Sequence, residues 1–283
     1  EIAIKYDHTR PDGSYCLDMA DDFELDTPAV IMVIGVNGVG KTTSAVNLAA
    51  AIGHYGYKVL LVDADPQGNA TSGLGINKRE VIKSSYDVII SGEPAANVIR
   101  TTAFRGLDIL PANMNLAGAE LELVDMQGRE SRIRKALAPV KDKYDFIIID
   151  CPPSLGLLTV NILCAVDSVI VPIQCEYYAL EGLSQLMNTI RQVKRLYNPL
   201  VDLEGVLLTM YDGRLNLTQQ VVAEVKRFFP QKVYATVIPR NVRLSEAPSF
   251  GQPVLYYDRS SKGSLAYVDF TKEFLKKNNK RPR

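Results

Sequence analysis

Tryptophan is absent from the 283 residues, histidine occurs twice, and the four cysteines (Cys16, Cys151, Cys164 and Cys175) form no CxxC pair. Neither histidine falls at zinc spacing from them, which excludes a zinc module and a disulfide scaffold and leaves buried free thiols as the reading. Excess charge is missing too. Lys plus Arg is 32 and Asp plus Glu is 32, so net charge gives no push toward nucleic acid or membrane. The apolar runs AVIMVIG and FIIID are strand-length and far short of the ~20 residues of a membrane helix. No secretory leader is visible, although the sequence starts at Glu1 rather than Met. These absences lead to the expectation of a cytoplasmic protein with no membrane partner. What remains is an ordinary globular composition, 47% hydrophobic and 23% charged.

Residues 1–28 differ from the rest. EIAIKYDHTRPDGSY carries a Pro-Asp-Gly turn and DMADDFELD is acidic and weakly patterned, so a peripheral or flexible extension is expected. From Ala29 onward short apolar runs alternate with helical patterns. AVIMVIG, KVLLVDAD, GLDILPA, YDFIIID, SVIVPI, GVLLTMYD and YATVIPR read as strands. Helices are expected from Lys41 to about Gly56, over 179–196, over 216–229 and in KGSLAYVDFTKEFLKK, with PQGNATSGLG as a loop. This alternation predicts an α/β fold, a mostly parallel twisted sheet flanked by helices on both faces, with ligands at the carboxyl ends of the strands. One phosphate-loop domain is expected over residues 29–277, followed by a basic tail at 278–283.

The chemistry begins at GVNGVGKTT, Gly35 to Thr43, which has the form G-x-x-x-x-G-K-[ST]. It follows an apolar strand and opens a helix, the context in which such a loop points successive amides at phosphate oxygens. Gly35, Asn37, Gly38, Val39, Gly40, Lys41, Thr42 and Thr43 are the expected phosphate cradle. Lys41 would reach the β and γ phosphates, and Thr42 would hold Mg²⁺. Asp150 closes FIIID and is a candidate metal-site carboxylate, with a turn or helix-cap role as the alternative. Asp63 and Asp65 end VLLVDAD, and one of them could orient or deprotonate an attacking water. Taken alone, that pair is equally compatible with a structural role.

Five segments in order, GVGKTTSAVNLAAAI, VLLVDADPQGNATSGLG, YDFIIIDCPPSLGLLTVN, GVLLTMYDGRLNL and VIPRNVRLSEAPSFGQPVLYYDRSSKGSLAY, resemble the ParA/Soj family of chromosome- and plasmid-partitioning ATPases, within the group that includes the MinD ATPases. The resemblance implies a P-loop fold of the deviant Walker A type, with ATP and Mg²⁺ as ligands. By the same resemblance Asp65 is the water-activating acid, Asp63 the acid beside the metal site and Asp150 the Walker B acid. CPPSLG would be the switch that senses the γ-phosphate, and Pro239 and Asn241 would line the adenine pocket. Arg214 and Arg243 match DNA-contacting arginines, which suit sequence-independent attraction to phosphates. The implied partners are a ParB-type centromere-binding protein, non-specific DNA and a second copy in an ATP-dependent homodimer.

One position departs from the family. Its loop reads K-G-G-x-G-K-T-T, with a first lysine that reaches across the dimer; here that position is Val36 and the next is Asn37. Valine neither donates a hydrogen bond nor offsets triphosphate charge, so weakened hydrolysis with preserved binding is expected. TPAVIMVIGVNGVGKTT in turn resembles the strand and loop of signal-recognition-particle GTPases, so a chimera, a hydrolysis-impaired variant and a GTPase-like protein stand as alternatives. Guanine selection usually needs [NT]KxD, and TMYD, Thr209 to Asp212, has Met210 in place of the lysine. ATP is therefore the expected nucleotide.

Overall fold

A computed structural model describes residues 28–35, 40–176 and 179–281. The extension expected over 1–28 therefore lies outside the described residues except for Pro28, as do Val36, Asn37, Gly38 and Val39 of the phosphate loop.

Seven strands form one sheet: β1 (Ala29–Val33), β2 (Val59–Asp63), β3 (Arg100–Thr101), β4 (Leu107–Leu110), β5 (Phe146–Asp150), β6 (Ser168–Gln174) and β7 (Asp202–Thr209). Their spatial order is β3-β4-β2-β5-β1-β6-β7. All pairings are parallel except the short antiparallel β3–β4 edge. β5 lies between β1 and β2, with Asp150 beside Val33 on one flank and beside Asp63 on the other. The chain thus sets Asp63, Asp150 and the start of the phosphate loop side by side at the carboxyl edge, where open parallel sheets place their ligands.

The helices are α1 (Lys41–His54), α2 (Asn69–Gly73), α3 (Ala119–Asp125), α4 (Arg132–Lys141), α5 (Leu157–Leu163), α6 (Ala179–Leu196), α7 (Asn216–Phe228), α8 (Val242–Glu246), α9 (Val254–Tyr257) and α10 (Lys262–Lys277). Strand alternation divides the core in two. Val30, Met32, Ile147 and Ile149 face a cluster shared with α3 to α7. Ala29, Ile31, Val33 and Ile148 face the cluster made by α1, α9 and α10. On the second face Phe146 meets Tyr57 and Phe274 edge-on at centroid distances of 5.3 and 5.8 Å. Removing a fully buried ring such as Phe274 typically costs about 3–5 kcal/mol.

Three sequence expectations are corrected. PQGNATSGLG is not all loop, because Asn69–Gly73 forms the short helix α2. GVLLTMYD stops being strand at Thr209, because Met210 adopts a left-handed φ of 52° that the ladder cannot continue. YATVIPR is no strand: it is flanked by an isolated bridge of Val206 with Val233, just before it, and holds one other, Tyr211 with Pro239. Between the bridges the amides of Ala235 and Thr236 donate to the Glu273 carboxylate at 2.6 and 2.8 Å, so the segment bows away from β7 toward α10. Gly128, at φ 63°, lies in the break between α3 and α4.

Candidate nucleotide site

α1 starts in the phosphate loop. Gly40 sits at φ 84°, a conformation that glycine alone adopts without strain, and a Cβ there would meet the Thr209 hydroxyl at 3.4 Å. Gly35 is equally close-packed, since a Cβ would lie 3.1 Å from the Lys41 Cβ. The last turn of the loop is thereby pressed between β1 and the exit of β7.

Lys41 is the first residue of α1 and is only 4% exposed. Its Nζ donates to Asp65 Oδ2 at 2.7 Å and to the Cys151 carbonyl at 2.5 Å. A buried ammonium needs such partners, and its opposite-charge neighbour here is the residue expected to activate water. Thr42 Oγ1 donates to Asp150 Oδ2 at 2.8 Å. The other oxygen, Asp150 Oδ1, is buried and has no hydrogen-bond partner. A fully buried carboxylate oxygen left free beside a hydroxyl is the donor set a hard divalent cation takes. Among the described residues no group of three or more His, Cys, Asp or Glu side chains could hold a metal ion. That suits Mg²⁺, which usually relies on one or two protein oxygens plus phosphate and water.

Asp63 is used differently. Its Oδ2 accepts from the Thr71 amide at 2.8 Å and the Thr71 hydroxyl at 2.6 Å, and its Oδ1 accepts from the Asp65 amide at 3.2 Å. Asp63 and Asp150 are neighbours on adjacent strands and both are fully buried. Burial raises the pKa of each carboxyl, and the charge of Asp63 adds to the rise at Asp150, while Lys41 and Thr42 pull Asp150 down. At Asp63 the hydrogen bonds from Thr71 oppose the rise. Burial likewise pushes the Cys151 thiol well above its usual range, so it is inert as a nucleophile there.

The base-pocket candidates sit at the β7 exit. Pro239 bridges to Tyr211, and Asn241 Oδ1 accepts from the Arg243 amide at 3.0 Å, capping α8. The Thr43 carbonyl accepts from Asn47 Nδ2, and Asn47 Oδ1 accepts from the Val254 amide, so α1 is stitched to the segment beyond the pocket.

Of the two arginines expected to meet DNA, Arg214 lies in the turn that follows β7 and Arg243 in the first turn of α8. Arg214 is bidentate to Asp212, with Nε at 2.8 Å and Nη2 at 2.7 Å, and its side chain is 89% exposed. Arg243 pairs with Glu246 at 2.7 Å and with Asp258 at 3.2 Å. The Tyr211–Pro239 bridge ties the segment before Arg214 to the one that leads into α8. The acidic partners are what the sequence reading missed. Asp212, two residues before Arg214, carried a local signal, whereas Asp258 lies 15 positions from Arg243 and carried none. Thr71, eight residues from Asp63, was likewise invisible as part of the site.

Comparisons with known proteins agree with this fold. A family model described as an AAA domain matches residues 29–203. The sporulation initiation inhibitor protein Soj of Bacillus subtilis is 58% identical over 236 residues, covering 83% of this chain and 93% of that protein. The chromosome partitioning protein ParA of Myxococcus xanthus is 52% identical, covering 87% of each. A solved structure from Mycobacterium smegmatis, described as cobyrinic acid a,c-diamide synthase with bound ATP analogue and magnesium, is 38% identical with a TM-score of 0.75, covering 86% of this chain and 93% of that one. With its sheet order, its phosphate loop and its two strand-end carboxylate sites, this chain belongs to the ParA/Soj family of chromosome-partitioning ATPases.

Proposed function

We propose that this protein binds ATP with Mg²⁺, dimerises around it, holds DNA without reading its sequence, and hydrolyses ATP under stimulation by a ParB-type partner. The observation that carries the reading is the buried Lys41, held between Asp65 and the Cys151 carbonyl at the mouth of the phosphate loop. A triphosphate offers Lys41 a stronger anionic partner than a single carboxylate. When Lys41 turns to the phosphates, Asp65 loses its cation and its Oδ2 becomes free to accept a proton from water. The Gln67 amide still holds Asp65 Oδ1 at 2.9 Å, so the carboxylate stays oriented. Thr42 and Asp150 would hold Mg²⁺, which supplies charge neutralisation across the phosphates. Pro239 and Asn241 are assigned to the adenine, and Arg214 and Arg243 to DNA phosphates. Val36 stands where the family has its cross-dimer lysine, so weak hydrolysis is part of the proposal.

The test is hydrolysis of ATP and of GTP, with and without DNA, by this protein and by Val36→Lys. Slow ATPase activity that rises in the lysine variant is expected. Activity confined to the lysine variant removes the claim that this chain is a competent enzyme. A preference for GTP in the unaltered protein removes the partitioning reading.

A further inference from the structure

Between Asp63 and Thr71 the chain leaves β2, presents Asp65, turns through Pro66–Gly68 and enters α2. The two ends of this loop are clasped. Thr71 gives both its amide and its hydroxyl to Asp63 Oδ2, at 2.8 and 2.6 Å. The same hydroxyl oxygen accepts from the Ala112 amide at 2.9 Å, just beyond β4. Gly68 backs the arrangement, because a Cβ there would meet the Ala112 carbonyl at 3.2 Å. Asp63 in turn holds the Asp65 amide through its other oxygen. Thr71 is fully buried, and its hydroxyl both gives its one proton to Asp63 and accepts from the Ala112 amide.

We infer that Thr71 is a positioning residue for hydrolysis, acting through Asp63 to fix the backbone of Asp65, and that Asp63 serves this clasp rather than the metal. The inference rests on the function proposed above. A carboxylate whose two oxygens already take three hydrogen bonds from protein has little left to offer a cation, in contrast to Asp150 with one oxygen free. The clasp also closes a short loop across its base, which limits the positions Asp65 can sample. Positioning of this kind matters because displacement of a reacting group by about 1 Å can cost roughly 100-fold in rate. β-branched valine matches threonine in shape but removes both roles of the hydroxyl. Serine keeps them.

The experiment compares the parent, Thr71→Val and Thr71→Ser for ATP turnover, nucleotide affinity, half-saturating Mg²⁺ and amide exchange over residues 64–70. Thr71→Val is expected to lower kcat roughly 10- to 100-fold, with affinity and Mg²⁺ requirement unchanged, and to speed exchange in the loop while the sheet amides stay protected. Thr71→Ser is expected to stay near the parent. Parent-like turnover in Thr71→Val, equal losses in both variants, or a raised Mg²⁺ requirement in Thr71→Val or Asp63→Asn overturns the inference. Should Thr71→Val fail to fold, Thr71→Cys, with its weaker donor, takes its place under the same readings. A parent that never hydrolyses ATP defeats the proposed function instead, and the exchange measurement alone then decides: faster loop exchange in Thr71→Val upholds the clasp and unchanged exchange overturns it.

Discussion

Two ion pairs in this molecule have the same closest approach, 2.7 Å: Lys41 with Asp65 at the carboxyl edge of β2, and Arg214 with Asp212 beyond β7. The first pair is 5% exposed on both sides, and the second is 89% exposed at the arginine and 28% at the aspartate. Distance is therefore no guide to what each pair does. In the dry pair, removing one partner strands a charge that water cannot reach. In the wet pair, solvent and salt replace either partner at little cost. The dry region is suited to storing a charge imbalance that a phosphate can exploit, and the wet region to exchanging one anion for another.

The comparison breaks most sharply at Asp65. Asp65→Ala should abolish most turnover, roughly 10²–10⁴-fold, because a positioned base is lost. It should also destabilise the nucleotide-free protein by about 3–5 kcal/mol, the usual cost of orphaning a buried charge. Added ATP should restore much of that stability by giving Lys41 a new partner. Steady-state kinetics and thermal unfolding with and without nucleotide measure both effects, and a Tm equal to that of the parent would show that the pair is not buried in solution.

Asp150 gives the next effect, with opposite sign in the two assays. Its pKa is raised by burial and by Asp63, so the native state holds its proton more tightly than the unfolded chain does. Between the unfolded value, about 3.9, and the raised native value, stability then falls as pH rises. Without nucleotide or Mg²⁺, the parent should lose Tm from pH 5 to pH 8. Asp150→Asn, which cannot ionise, should show a flatter profile and a Tm higher by a few degrees near pH 8. The same variant should need more Mg²⁺ for nucleotide binding. A parent profile as flat as that of the variant would remove the burial argument.

The two regions also differ in how far the sequence exposed them. Lys41, Thr42 and Asp150 were legible because their chemistry is tied to local pattern, a glycine-rich loop and a carboxylate at the end of an apolar strand. Parallel pairing then brings them together by register, which alternation of strands and helices implies. Asp63 and Asp65 were legible as a pair but not as two different roles. The difference is made by Thr71 and Lys41, and no spacing rule connects those residues to the two acids. YATVIPR looked like a strand because β-branched and aromatic residues dominate it. Glu273, on the last helix, captured two of its amides, and propensity carries no information about such a distant competitor.

At the wet region, Arg214→Ala and Arg243→Ala together should leave stability close to that of the parent, as exposed substitutions do. DNA retention in the presence of ATP should weaken, and the slope of log affinity against log salt should drop by about 1 for each phosphate that is no longer engaged. Retention equal to the parent across the salt range would show that other residues carry the DNA.

The smallest expected effect is a gain. If Arg214 meets DNA as proposed, Asp212 competes with phosphate for it at every working pH, because hydrogen bonds from Arg214 hold the Asp212 carboxyl down at about 2. Asp212→Asn removes the negative charge while keeping a side-chain oxygen for the Arg214 amide, which Asp212 Oδ1 now accepts at 3.1 Å. The loop should keep its shape and the guanidinium should be released to an incoming phosphate. The expected result is DNA affinity raised by roughly 2- to 5-fold at low salt, the small effect of an exposed pair, that fades as salt screens the interaction. Asp65→Asn provides the contrast. It also removes an acid from a cation at 2.7 Å, but there the cation is buried, and the variant should lose function rather than gain it. If Asp212→Asn left DNA binding unchanged at low salt, Arg214 would not be a phosphate ligand, and the distinction between an exchangeable pair and a stored one would have to rest on Arg243 alone.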